Sequence, residues 1–169
     1  MCGGYWVALA NHARTRCVDE LLRPRCYVAS AVDASTQRAT PVPAGALVRA
    51  ALAATAFPDL GRLGVLRVAE TWAPATTDPS KGGFFRLRDT GARCVRSPCF
   101  SYRAVALNEH GRPIRVSSFA LGPAGDDPGI RGRAQAALFS GEGVLASGRL
   151  DTVADGGRVF LASQIYLKP

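Results

Sequence analysis

Five cysteines and two histidines are the side chains of this 169-residue sequence best suited to nucleophilic or metal chemistry, and their spacing decides how much of that chemistry is open. Zinc sites draw on closely paired ligands with only a few residues between them. Eight residues, VDELLRPR, separate Cys17 from Cys26, and four, VRSP, separate Cys94 from Cys99, so neither pair has the spacing of a zinc knuckle. Each pair fits a disulfide that closes a small loop in an oxidising compartment, and Cys2 is then an unpaired thiol. Acyl transfer by Ser or Cys needs a histidine base held by an orienting carboxylate. His12 and His110 follow Asn11 and Asn108 in segments that read as turns, which makes them exposed hairpin residues. Asp89-Thr90-Gly91 has the letters of the aspartic-protease triplet without its apolar strand context. Asp126 and Asp127 sit where a helix would be capped, and GDDPGIRGR lacks the Lys-Ser/Thr of a phosphate loop. The expectation is a protein that is not an enzyme, with no catalytic residues, no metal and no cofactor.

One short segment has a sharper reading. Cys94-Val-Arg-Ser-Pro-Cys99 presents Arg96, Ser97 and Pro98 in a small closed loop, similar to the constrained arginine loops that serine-protease inhibitors offer to trypsin-like enzymes. Preorganising such a loop lowers the entropy cost of binding. The same disulfide also serves as a plain staple between two strands. The resemblance is one of site, not of fold.

Hydrophobic residues make up 47% of the chain and charged residues 20%, the proportions of a globular protein. No apolar run approaches the ~18 residues of a membrane-spanning helix. The formal charge is +8, with only Lys81 and Lys168 as lysines among 21 cationic residues. Together with abundant Ala and Gly, that skew is what a G+C-rich coding sequence produces. Blocks of like charge and interleaved exposed aromatics, the marks of single-strand binding, are lacking. The basic residues therefore read as a solvated surface open to anionic partners, with nucleic acid the disfavoured alternative.

The elements that would position these residues come from an internal repeat. Shifted by 97 residues, Cys2, Tyr5 and Asn11 fall on Cys99, Tyr102 and Asn108, and both segments read C-x-x-Y-x-x-x-x-x-N. At an offset of 98, Gly45, Leu47 and Leu52 fall on Gly143, Leu145 and Leu150, and further on VAETW, ending at Trp72, aligns with ASQIY, ending at Tyr166. The expected organisation is repeat 1 over residues 1–74, a linker over 75–83 and repeat 2 over 84–169. Repeat 2 reads strand (FFRLRDT), strand (SYRAVALN), turn (108–113), strand (PIRVSSFAL), short helix, and two strands meeting at 154–157. Asp127 is the expected N-cap, Pro128 the first helical residue and Gly141 the stop. In repeat 1, ALVRAALAATAF has helical periodicity by itself, but its repeat partner GVLASGRLDTV is a strand, so a strand is expected. The fold class is thus mainly β with one short helix, in two tandem β-rich repeats. Five strands with a helix between the third and fourth is the order of an OB-like barrel.

CGGYWVALANHARTRC with CYVASAVD, then FRLRDTGARCVRSPCFSYRAVALN, and the ending GVLASGRLDTVADGGRVFLASQIYLKP together resemble a bacterial domain family of unknown function along almost the whole chain. In that family the first repeat reads RC-x-SPLCGGYFV and the second DTG-x-x-C-x-x-x-PC, usually behind a signal peptide or lipoprotein leader. The resemblance implies an exported, disulfide-stapled, β-rich protein, and supplies no catalytic residues. It also implies that Met1 falls inside a repeat, so that a longer parent would carry another strand, another cysteine and a secretion signal. The functional expectation is a non-catalytic exported module with a binding or structural role toward a protein or surface ligand. Its rivals are a protease inhibitor presenting the Cys94–Cys99 loop and a basic OB-type nucleic-acid binder. A dimer through Cys2 or through an open sheet edge is a further expectation.

Overall fold

The computed structural model describes residues 3–169, and the chain divides into two compact units, one ending at Ala73 and one spanning Pro74–Lys168. Cys2, expected as the free thiol, lies outside the described residues.

The first unit contains β1 (Tyr5–Val7), β2 (Thr15–Arg16), β3 (Leu22–Arg23), β4 (Cys26–Asp33), β5 (Leu47–Phe57) and β6 (Gly61–Pro74). β1 runs antiparallel to β4, β4 parallel to β6, and β6 antiparallel to β5. β2 and β3 form a separate two-stranded hairpin inside the segment that links β1 to β4. Alternation explains β4: Cys26 and Val28 point into the core while Tyr27 between them faces out. Val28, Ala31, Leu66 and Val68 form the buried cluster, with Tyr5, Val7, Val48 and Leu52 packed on it. The helical periodicity of 47–57 is overridden. All eleven residues of β5 pair with β6, from Leu47 opposite Trp72 to Phe57 opposite Gly61, and that long-range ladder outweighs a per-residue helix preference of only a few tenths of a kcal/mol. One register shift, between Arg49 and Ala50, interrupts it.

The second unit contains β7 (Gly83–Asp89), β8 (Tyr102–Ala106), β9 (Ile114–Val116), β10 (Ser118–Ala120), a 3-10 turn at Gly122–Gly125, α1 (Pro128–Phe139), β11 (Val144–Thr152) and β12 (Arg158–Leu167). The Asp127 carboxylate accepts from the Gly129 and Ile130 backbone N–H groups, and Pro128 opens the helix, so the N-terminus is capped by the residues expected to do it. The strands run in the order β10-β12-β11-β7-β8-β9. Leu87, Ala104, Val116, Ala134, Leu138, Val144, Ala146 and Phe160 belong to its core, a buried cluster of twelve residues.

One expectation is corrected. The sheet is not closed into a barrel, because the third strand breaks at Ser117: β9 pairs with β8, while β10 pairs with β12 in the parallel sense. Ser117 sits at the corner, with both its N–H and its hydroxyl donating to the Arg158 carbonyl. The stretch at 75–83 is exposed over residues 77–82. It lies along β12, where the buried Gln164 side chain donates to the Thr76 and Asp78 carbonyls at 2.9 Å each and accepts from the Thr76 N–H at 3.2 Å. Ser80 and the Tyr166 hydroxyl share a hydrogen bond further on. Among the described residues, no helix is long and apolar enough to cross a membrane.

Candidate functional site

Both cysteine pairs are disulfide-bonded. Cys17 joins Cys26 across the base of the β2–β3 hairpin with 5.4 Å between Cα atoms, and Cys94 joins Cys99 with 5.5 Å. The two bonds do different work. Cys17 and Cys26 are buried and tie the hairpin to the start of β4, whereas the Cys94–Cys99 loop stands in solvent, with Val95 fully exposed and Arg96 and Ser97 exposed beside it.

That loop grows from the end of the β7–β8 ladder, whose last pair is Asp89 opposite Tyr102. Asp89 takes a bidentate contact from Arg93 at 3.1 and 2.8 Å, and the Arg93 hydrogen bond holds the carboxyl below the usual carboxylate range. The Asp-Thr-Gly letters thus serve a turn, as the sequence context indicates. At the other side the Ser97 hydroxyl donates to Asp155 in the β11–β12 turn at 2.8 Å, and Pro98 follows, half-buried. Asp155 is held low first by the Gly157 backbone N–H and then by Ser97. The candidate binding loop is therefore held on one side to the end of β7 and on the other to the β11–β12 turn, leaving Val95 and Arg96 at its tip.

Beside the loop lies a feature that the sequence reading did not reach. Leu87, Ala104 and Val116 point into the core, so alternation turns their neighbours outward. Those neighbours are Arg88, Arg103 and Arg115, and they stand directly opposite one another across β7, β8 and β9. Adjacent strands are ~4.8 Å apart, so the row is about 10 Å long. Among the described residues none of the three makes an ion pair. Arg88 donates to the Glu142 backbone carbonyl at 3.2 Å, as does Arg86, and the Arg115 guanidinium lies 5.0 Å above the Phe100 ring.

Catalytic geometry is a different matter. His12 and His110 are exposed and lie in separate units. Among the described residues no three His, Cys, Asp or Glu side chains gather as metal ligands.

No curated protein and no solved structure matches the chain. The family model described as a domain of unknown function (DUF6748) matches residues 1–169, the whole of the sequence, and this protein belongs to that family.

Proposed function

We propose that this protein is a non-catalytic, exported binding module, and that the outer face of β7, β8 and β9 receives an anionic ligand. The observation that carries the reading is the in-register row of Arg88, Arg103 and Arg115. Like charges directly opposite on neighbouring strands are destabilising. A row of three guanidinium groups without a carboxylate between them is a cost to the free protein that a bound polyanion relieves. Guanidinium groups match carboxylate and phosphate oxygens in a fork geometry that lysine does not provide. Arg96 extends the positive surface from the loop tip, and Phe100 gives the face an apolar body under Arg115. Two disulfides, one of them stapling an exposed loop, suit an oxidising, exported setting.

The test is calorimetric titration with poly-glutamate at two salt concentrations, with a single-stranded oligonucleotide as comparison. The expected result is binding whose logarithmic salt slope is about −2 to −3, one step per arginine engaged. No binding at low salt, or a flat salt response, defeats the reading. Tighter binding of the oligonucleotide moves the protein into the nucleic-acid class.

A further inference from the structure

β1, β4, β6 and β5 follow one another in the order and sense of β8, β9 with β10, β12, and β11. The likeness extends to single pairs. Tyr5 faces Val28 as Tyr102 faces Val116, and Leu47 faces Trp72 as Leu145 faces Tyr166. The irregularities coincide as well. β5 slips against β6 between Arg49 and Ala50, and β11 slips against β12 between Ser147 and Gly148, in both cases after the third pair from Leu47 or Leu145. β4 slips at Ala29, where the other unit breaks its third strand at Ser117. Positive φ recurs at Asn11 and Asn108 and at Gly45 and Gly143. A bulge is a specific local insertion, and unrelated sheets have no reason to place two of them alike.

The units differ at one place. In the second, β7 lies between β11 and β8 and pairs with both. In the first, β5 pairs only with β6 and β1 only with β4 among the described residues. Burial follows: residues 144–148 are all buried, whereas the matching 46–50 are half-buried or exposed. We propose that the open place between β5 and β1 accepts an added extended strand with the pattern of β7, carrying apolar side chains at alternate inward positions and a cation at the outward position beside Trp6.

The register of β7 specifies that occupant. Leu87 faces Val144 and Ala104, so its equivalent faces Ala46 and Val7; Phe85 faces Ala146, so its equivalent faces Val48. Those inward positions add to a core that, among the described residues, has four buried cluster residues where the other unit has twelve. Arg88 faces Arg103, so its equivalent faces Trp6, which is 68% exposed and packs edge-on against Tyr27. An exposed indole attracts a cation to its face. Main-chain pairing along an open edge supplies affinity and the alternating pockets supply selectivity, as in other strand-addition complexes.

The probe is a blocked peptide of residues 82–90, GGFFRLRDT, added to the full chain carrying Cys2→Ser. The expected result is one-to-one binding with a change in tryptophan emission and amide protection at 46–50. A peptide with Phe85→Asp and Leu87→Asp should bind at least ~10-fold more weakly, because two buried apolar contacts are lost. Equal binding of both peptides overturns the proposal. So does protection confined to 144–148, which reports strand exchange in the other unit, or protection of 46–50 in a dimer without peptide, which assigns the edge to a second copy. Failure here leaves the arginine face standing, since poly-glutamate titration reads the other unit.

Discussion

Replacing Arg103 with threonine separates a binding face from an ordinary charged surface, because the two readings predict effects of opposite sign on stability and affinity. Arg103 is the middle of the row and faces Arg88 on one side and Arg115 on the other. Each like-charge contact of this kind costs ~0.2–1 kcal/mol, and screening at an exposed position keeps the sum toward the lower end. Threonine is also a good strand residue, so the backbone loses nothing by the exchange. The free protein should therefore gain about 0.5–1 kcal/mol, which for a unit the size of Pro74–Lys168 raises the calorimetric midpoint by roughly 2–8 °C. Poly-glutamate binding should weaken by about 10-fold, and its salt slope should fall by about one unit. The pair of measurements is done on one preparation, by scanning calorimetry and by titration. A variant that is less stable and binds unchanged would show that Arg103 covers the sheet as a packing residue, and the reasoning from register would be wrong.

Gln164 is 1% exposed and its amide satisfies the Thr76 and Asp78 carbonyls and the Thr76 N–H. Gln164→Leu should cost ~2–4 kcal/mol in a urea melt, the loss expected for several orphaned partners at a partly buried site, and a loss below ~1 kcal/mol would mean that other contacts hold the segment after Pro74. The Asp33 carboxyl is pulled from 3.8 down to about 2, first by the Ser35 hydroxyl and then by the backbone and hydroxyl of Thr36. Its folded pKa is depressed, so its contribution is complete above its unfolded value and disappears as pH falls toward 2. NMR titration should place the Asp33 midpoint near 2, and a midpoint near 4, the ordinary carboxylate value, would show the 33–36 turn open in solution. Ser97→Ala removes the contact to Asp155, so the Asp155 carboxyl should move back up and trypsin should cut faster after Arg96. An unchanged cutting rate would show that the disulfide alone holds the loop, and stoichiometric trypsin inhibition lost in Arg96→Ala would restore the inhibitor role.

What sequence revealed and what it concealed divide along range. The helix was legible because its signals are local: Asp127, Pro128 and Gly141 mark its ends whatever surrounds them. β5 was legible only through its alignment with GVLASGRLDTV, since Leu47, Val48, Ala51, Leu52 and Thr55 have helical spacing and the strand is imposed by β6. The break at Ser117 left only a faint local mark, a slip of the apolar alternation from Ile114 and Val116 to Phe119 and Leu121 across the two serines, and nothing local says that one end will join β8 and the other β12. The β2–β3 hairpin escaped for a different reason. Two strands of two residues each leave no period to detect. The arginine row was missed because Arg86, Arg88, Arg93 and Arg96 cluster in sequence, while the partners that matter, Arg103 and Arg115, arrive from other strands through register.

The unequal cores have a consequence for how the protein melts. Among the described residues the buried apolar cluster has four members in the first unit and twelve in the second, so the first has the smaller store of buried apolar surface. Both tryptophans, Trp6 and Trp72, belong to the first unit. Indole fluorescence therefore follows only the unit with the smaller core, while heat capacity records both. Two optical and thermal curves that fail to superimpose are then the mark of two cooperative units rather than of a faulty preparation, and a single midpoint describes neither.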